Sequence, residues 1–265
     1  LPQVMDIDSY APSLYKESMN NQGNHTLSID GCDTSEDNFR KLSAEELFSL
    51  RNHAGIGRVC VSDDQTASVM ATEVAAWISK ERVLNEFTKT GVIVYCHSTP
   101  DEESSISPAC RMQYELGNKK AIPFSISQQH GTSIFTALYL VDVLFEMNAA
   151  DHAVVFGVDK WISPLRRHIP NVTFLGDGAG ALVLLRNNSP GLRLADIKIK
   201  QAMVHADINL IRQSLQLFPM GEIVKQLKLL ITDMLNRNEI TIKRIRYVVF
   251  SHINRQLAAK LHDSL

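Results

Sequence analysis

Cysteine is scarce in this chain. The four present, Cys32, Cys60, Cys96 and Cys110, form no C-x-x-C pair and no zinc-like spacing. Four scattered thiols in 265 residues exclude a disulfide framework and read as the reduced cysteines of a cytoplasmic protein. Charge of one sign is also lacking: the formal net charge is -2, too little to hold a polyanion, so nucleic acid is not the expected partner. Long hydrophobic runs are absent as well. The longest, around residues 137–145 and 153–158, fall far short of the roughly 20 residues that cross a bilayer, so no membrane span is expected. The opening Leu1-Pro2-Gln3-Val4 carries neither a methionine nor a basic-then-apolar signal pattern, and reads as a trimmed boundary. No fixed-period repeat is visible. What remains, 45% hydrophobic and 21% charged residues, is the composition of a globular chain with a large core.

The first forty or so residues are polar and turn-rich and are expected to be mostly surface loops. Ser43-Ala44-Glu45-Glu46 resembles a capping box, and residues 66–80 carry apolar side chains at helical spacings. Gly91-Val92-Ile93-Val94-Tyr95-Cys96 reads as a buried strand, residues 108–116 as a helix, 121–126 as another buried strand and 153–158 as a third. Between the last two, residues 132–148 are apolar around nearly the whole circumference, which predicts a helix enclosed between sheets. Strand, helix and strand within about forty residues form a βαβ crossover, so the class is α/β. Residues 221–236 predict an amphipathic helix, and 247–250 a further buried strand ending at Ser251-His252.

Gly176-Asp177-Gly178-Ala179-Gly180-Ala181 precedes an apolar strand and is not a phosphate loop. A P-loop needs a lysine and a hydroxyl at set positions, and a dinucleotide fingerprint needs its strand before the glycines. These glycines read instead as a turn with positive φ and close packing, with Asp177 bonding the loop. His53, His97, His152 and His205 form no i, i+4 pair with an acidic partner, so no metal site is expected.

Four stretches, in order, resemble the β-ketoacyl synthase III branch of the thiolase superfamily. They are Arg51-Asn52-His53-Ala54-Gly55-Ile56-Gly57-Arg58; Pro108-Ala109-Cys110-Arg111-Met112-Gln113-Tyr114-Glu115-Leu116-Gly117; Phe174-Leu175-Gly176-Asp177-Gly178-Ala179-Gly180-Ala181; and Val248-Val249-Phe250-Ser251-His252. The resemblance implies a thiolase-like layered αβαβα fold of two related halves. It places an N-terminal half with polar N-terminal loops at residues 1–190 and a partial, shortened C-terminal half at 191–265. It also implies acyl transfer from acyl-CoA or acyl carrier protein thioesters in fatty acid or polyketide-type biosynthesis, with no cofactor. The strand corresponding to 153–158, or its neighbour, is expected at a twofold interface.

The family's nucleophile is a cysteine on the turn between a strand like 121–126 and the buried helix. Counting forward from Cys110 and Gly117 puts that position on His130, and counting back from Leu138 and Asp142 puts it on Gly131. Ser127-Gln128-Gln129-His130-Gly131-Thr132-Ser133 contains no cysteine. His130 is therefore read as a replacement base or acyl acceptor, or as filler in a vestigial pocket. A histidine at a helix N-terminus is held neutral by the dipole, which leaves one ring nitrogen able to take a proton. Gln128, Gln129 and Gly131 are expected to bind substrate, with the glutamine amides orienting a thioester carbonyl.

His252 matches the family's catalytic histidine, able to donate to a thioester oxygen, and His130 and His252 are expected to face one pocket. Asn254 is a candidate for the substrate wall, but it does not replace the family's asparagine, which lies some thirty residues beyond the histidine. The short basic clusters Arg166-Arg167-His168, Lys119-Lys120 and Lys243-Arg244 with Arg246 are read as solvated faces, or as docking points for an acidic carrier protein. The readings left open are a homodimeric acyltransferase, a non-catalytic subunit paired with a cysteine-bearing condensing-enzyme paralogue, and a thioester hydrolase or decarboxylase.

Overall fold

The computed structural model describes residues 3–6, 44–62, 65–80, 91–100, 105–161, 168–169, 173–186, 192–200, 220–249 and 254–265. Their elements in chain order are β1 (Gln3–Asp6), α1 (Ala44–Ser49), a π-helical turn (Leu50–Ala54), β2 (Arg58–Val61), α2 (Ala67–Lys80), β3 (Val92–Cys96), α3 (Pro108–Glu115), β4 (Ile122–Ile126), a 3-10 turn (His130–Thr132), α4 (Ser133–Glu146), β5 (His152–Asp159), β6 (His168–Ile169), β7 (Thr173–Phe174), β8 (Gly178–Leu185), α5 (Met220–Arg237), a second 3-10 turn (Ile242–Arg244) and α6 (Arg255–Ser264). The chain divides into two compact units. Val61–Lys160 and Asp177–Lys200 make up most of the first; Gln3–Cys60, Trp161–Gly176 and Gln201–Leu265 form the second.

The first unit is built on a four-stranded sheet of order β4-β3-β5-β8. β3 runs parallel to both β4 and β5, and β8 is antiparallel to β5. Alternate side chains of a strand point to opposite faces, so the apolar runs of β3 and β5 feed two cores at once. On one face Ile93, Tyr95, Val154 and Phe156 pack with Met70, Ala71, Ala75 and Ile78 of α2 and with Ala109 and Met112 of α3. On the other, Val92, Val94, Cys96, Ala153 and Val155 pack with Ala137 and Val141 of α4. Each fully buried valine or isoleucine contributes about 1.5–3 kcal/mol. Locally, α3 starts where Pro108 follows Ser107, whose hydroxyl accepts the Cys110 N–H.

The sheet corrects several expectations drawn from the sequence. β4 is an edge strand among the described residues, and its Ile122 is 55% exposed rather than buried. α4 is not enclosed: Ala137, Leu138 and Val141 are buried, whereas Phe135 and Tyr139 are 51% and 54% exposed. Its hydrophobicity exceeds what one sheet face covers. β5 is interior, hydrogen-bonded to β3 and β8, and so cannot itself be the strand at a twofold interface. Gly178 and Gly180 lie inside β8 without positive φ, and the close approach is at Gly176, where a Cβ would sit 3.0 Å from the Cys60 carbonyl oxygen. Asp177 does bond the neighbouring chain: its buried Oδ2 accepts the Ser62 N–H at 2.9 Å. The capping-box Ser43 lies outside the described residues.

In the second unit the π-helical turn ends on Gly55 at φ 75°, with its N–H donating to the Leu50 carbonyl. Glycine is needed there twice over, because a Cβ would also lie 2.6 Å from Arg255 Nε. α5 packs on α6. Residues 247–249 belong to no strand, and Tyr247 and Val249 are 83% and 91% exposed, against the expectation of a buried strand; Phe250 lies outside the described residues. β propensity gave those residues a strand-like pattern, but a strand also needs a partner. Among the described residues, no helix is long and apolar enough to cross a membrane.

Candidate functional site

β3, β4 and β5 are parallel, so their carboxyl ends lie along one edge of the sheet. That edge is where open α/β sheets place their ligands. β3 ends at Cys96 and is followed by His97, Ser98 and Thr99; β4 is followed by residues 127–132; β5 ends at Asp159. The first two exits are tied together, since the His97 N–H donates to the Ile126 carbonyl at 3.1 Å.

The turn after β4 is tightly determined. Gln128 sits at φ 63°, a left-handed conformation that costs a non-glycine residue about 1–3 kcal/mol and clusters at functional sites. Its neighbour holds it there: the Gln129 carbonyl accepts from both the backbone N–H of Thr132, at 3.2 Å, and its hydroxyl, at 2.5 Å. Gln129 Oε1 accepts from the Thr136 hydroxyl at 2.6 Å, which fastens the turn to α4. His130 opens the 3-10 turn, and Gly131 is exposed with nothing within 4 Å of where a Cβ would stand. Residues 127–133 thus form a strand–turn–helix elbow whose backbone amides lead into α4.

The exits of β3 and β5 are joined by Asp159. Its Oδ1 accepts the backbone N–H of Ser98 at 2.5 Å and of Thr99 at 3.4 Å, and its Oδ2 accepts the Ser98 hydroxyl at 3.0 Å. The Thr99 hydroxyl accepts the Lys160 N–H at 3.2 Å. His97 Nδ1 lies 2.6 Å from the Thr99 carbonyl oxygen, and its ring packs against Tyr95 at 5.5 Å between centroids. Beneath them the buried Cys96 thiol donates to the Ser133 carbonyl at 3.6 Å. Burial, then the negative charge of Asp159, push this thiol up to about 12, so it is no nucleophile near neutral pH.

Gln128, Gln129, His130 and Gly131 are therefore consecutive on one elbow at the carboxyl edge of the sheet. Asn254 belongs to the second unit, where it is buried and its Oδ1 accepts the Leu257 N–H at 3.1 Å as the N-cap of α6. His252 lies outside the described residues, as do Arg166 and Arg167. Lys119, Lys120, Lys243, Arg244 and Arg246 are exposed. No three His, Cys, Asp or Glu side chains converge on a metal position among the described residues. His97, weighed from the sequence only as a metal ligand, stands at the exit of β3 on the carboxyl edge of the sheet.

The fold as a whole matches solved proteins. The chain superposes on 3-oxoacyl-[acyl-carrier-protein] synthase III from Aquifex aeolicus with a TM-score of 0.64 at 21% identity, over 81% of this chain and 70% of that one. It has the thiolase-like fold of the synthases III. The acyltransferase ChlB3 gives a TM-score of 0.66 at 18% identity, over 98% of this chain and 75% of the other. In sequence, the chain is similar to the β-ketoacyl-[acyl-carrier-protein] synthase III of Blochmanniella pennsylvanica, 28% identical over 140 residues, and to that of Yersinia enterocolitica, 28% identical over 134. Those matches cover 51% and 49% of this chain but 42% and 41% of the relatives, so the chain spans about two fifths of their length. No family model matches it.

Proposed function

We propose that the chain handles acyl thioesters, of coenzyme A or of an acyl carrier protein, and transfers the acyl group without an acyl-cysteine intermediate. The observation that carries this reading is the elbow at 127–133. It is a turn between a strand and a helix with Gln128 left-handed, the resemblance puts the family's nucleophile on this turn, and its sequence contains no cysteine. In this reading His130 and His252 are the catalytic histidines. Gln128, Gln129 and Gly131 line the thioester site, and residues 1–190 and 191–265 correspond to a first half and part of a second. The setting is fatty acid or polyketide-type biosynthesis in the cytoplasm.

A second reading, a non-catalytic subunit beside a cysteine-bearing paralogue, draws support from one observation. The outward face of α4 presents Phe135, Tyr139 and Leu140, an apolar surface next to the elbow. Calorimetric titration with an unreactive acyl-CoA ether, and with the same ether on an acyl carrier protein, tests the first reading. Wild type should bind one of them. Gly131→Leu, at a position with open space, should weaken binding at least tenfold while leaving the thermal midpoint in place. Absence of binding to both ethers would remove the acyl-thioester reading and leave the subunit reading.

A further inference from the structure

We propose that His97 is a further proton-transfer group of this site, held so that Nε2 is its basic nitrogen; the inference rests on the acyl-transfer reading above. A carbonyl oxygen only accepts, so the short contact between His97 Nδ1 and the Thr99 carbonyl requires the proton to be on Nδ1. The neutral ring then carries its lone pair on Nε2, which makes no hydrogen bond to any described residue. The orientation is built in rather than incidental. Thr99 is buried, its N–H is held by Asp159 and its hydroxyl by Lys160 N–H, so the carbonyl that fixes the ring is itself fixed. Asp159 is the positioning residue of this arrangement. The backbone of His97 is bonded to Ile126, the last residue before the elbow, which puts the imidazole at the ligand-binding edge of the sheet.

A cysteine thiolate attacks a thioester unaided, but a hydroxyl or water near neutral pH needs a base. His97 offers such a base at the same sheet edge as an elbow without cysteine. Nε2 takes the proton of an O–H acceptor, water or an alcohol, as that oxygen bonds to the thioester carbonyl carbon. The tetrahedral adduct breaks its C–S bond, and the departing thiolate takes the proton back from the imidazolium. Thioester and alcohol give ester and thiol, or with water acid and thiol, and nothing is oxidised or reduced.

The test uses His97→Asn, whose amide keeps a donor for the Thr99 carbonyl but provides no base. Acetyl- and octanoyl-CoA are supplied with and without an added alcohol, and thioester loss is followed by its ultraviolet absorbance. Wild type should consume thioester. H97N should lose about a hundredfold in kcat with KM within about twofold, and free imidazole should restore part of the rate. Asp159→Ala should lower kcat and disturb the ring tautomer read from the nitrogen chemical shifts of His97. Wild-type turnover that H97N leaves unchanged overturns the role of His97 and spares the acyl-transfer reading. A wild type that neither binds nor consumes thioester overturns both. If H97N fails to fold, the tautomer decides: a wild-type His97 protonated on Nε2 overturns the proposal.

Discussion

Asp159, the last residue of β5, holds Ser98 by both its backbone N–H and its hydroxyl, although 61 positions separate them in the chain. One carboxylate thereby closes the carboxyl ends of two parallel strands and sets the loop that carries His97. Replacing it breaks charge-assisted bonds in a partly buried place, and each such bond contributes about 1.5–3 kcal/mol. Asp159→Ala should lower the denaturation free energy by an amount in that range, measured by urea titration. A loss below about 0.5 kcal/mol, the size of an ordinary surface change, would mean that the loop is held otherwise.

Gly91 and Gly131 should respond oppositely to the same substitution. A Cβ on Gly91 would stand 2.2 Å from His152 Nε2, a buried ring that cannot step aside, whereas one on Gly131 meets open space. Gly91→Ala should cost about 1–3 kcal/mol, the range for overpacking, and Gly131→Ala should be close to neutral. Thermal denaturation of the two variants side by side checks this.

The same openness allows Gly131→Cys to place a thiol on the elbow. The variant should fold with an unchanged thermal midpoint and react with iodoacetamide faster than native Cys96, which lies beneath the β3 exit. Peptide mapping after brief alkylation separates the two sites.

Cys96 gives a pH dependence whose sign is fixed by its surroundings. Its thiol in the folded protein titrates at about 12, above the ordinary thiol value of about 8.5. As pH rises the unfolded chain gives up this proton first, so ionisation favours the unfolded state. The contribution is flat below about pH 8 and falls through the window between the unfolded value and the folded one. Unfolding midpoints at pH 8 and pH 10 should drop more steeply for wild type than for Cys96→Ala.

β3 and β5 were legible in the sequence because runs such as Val92-Ile93-Val94-Tyr95-Cys96 are apolar on both faces, which only an interior parallel strand sustains. The exposure of Ile122 and of residues 247–249 was not legible. An apolar pattern states a preference for burial, and the neighbour that satisfies it belongs to tertiary structure. α4 shows the same limit, since its circumference is apolar yet the sheet covers only one stripe of it. The turn between β4 and α4 was legible from the strand and helix patterns that flank it. His97 could not be singled out by spacing, because its orientation depends on a carbonyl two residues on and a carboxylate 62 positions away. Those groups meet only when β3 and β5 pair.

The central claim is acyl transfer that passes through no cysteine. Intact-mass spectrometry of the protein mixed with acyl-CoA, run in parallel with thioester absorbance, tests it most directly. The account predicts continuous loss of thioester with no stable acyl adduct on the chain. A persistent adduct that maps to Cys32, Cys60, Cys96 or Cys110 would contradict it.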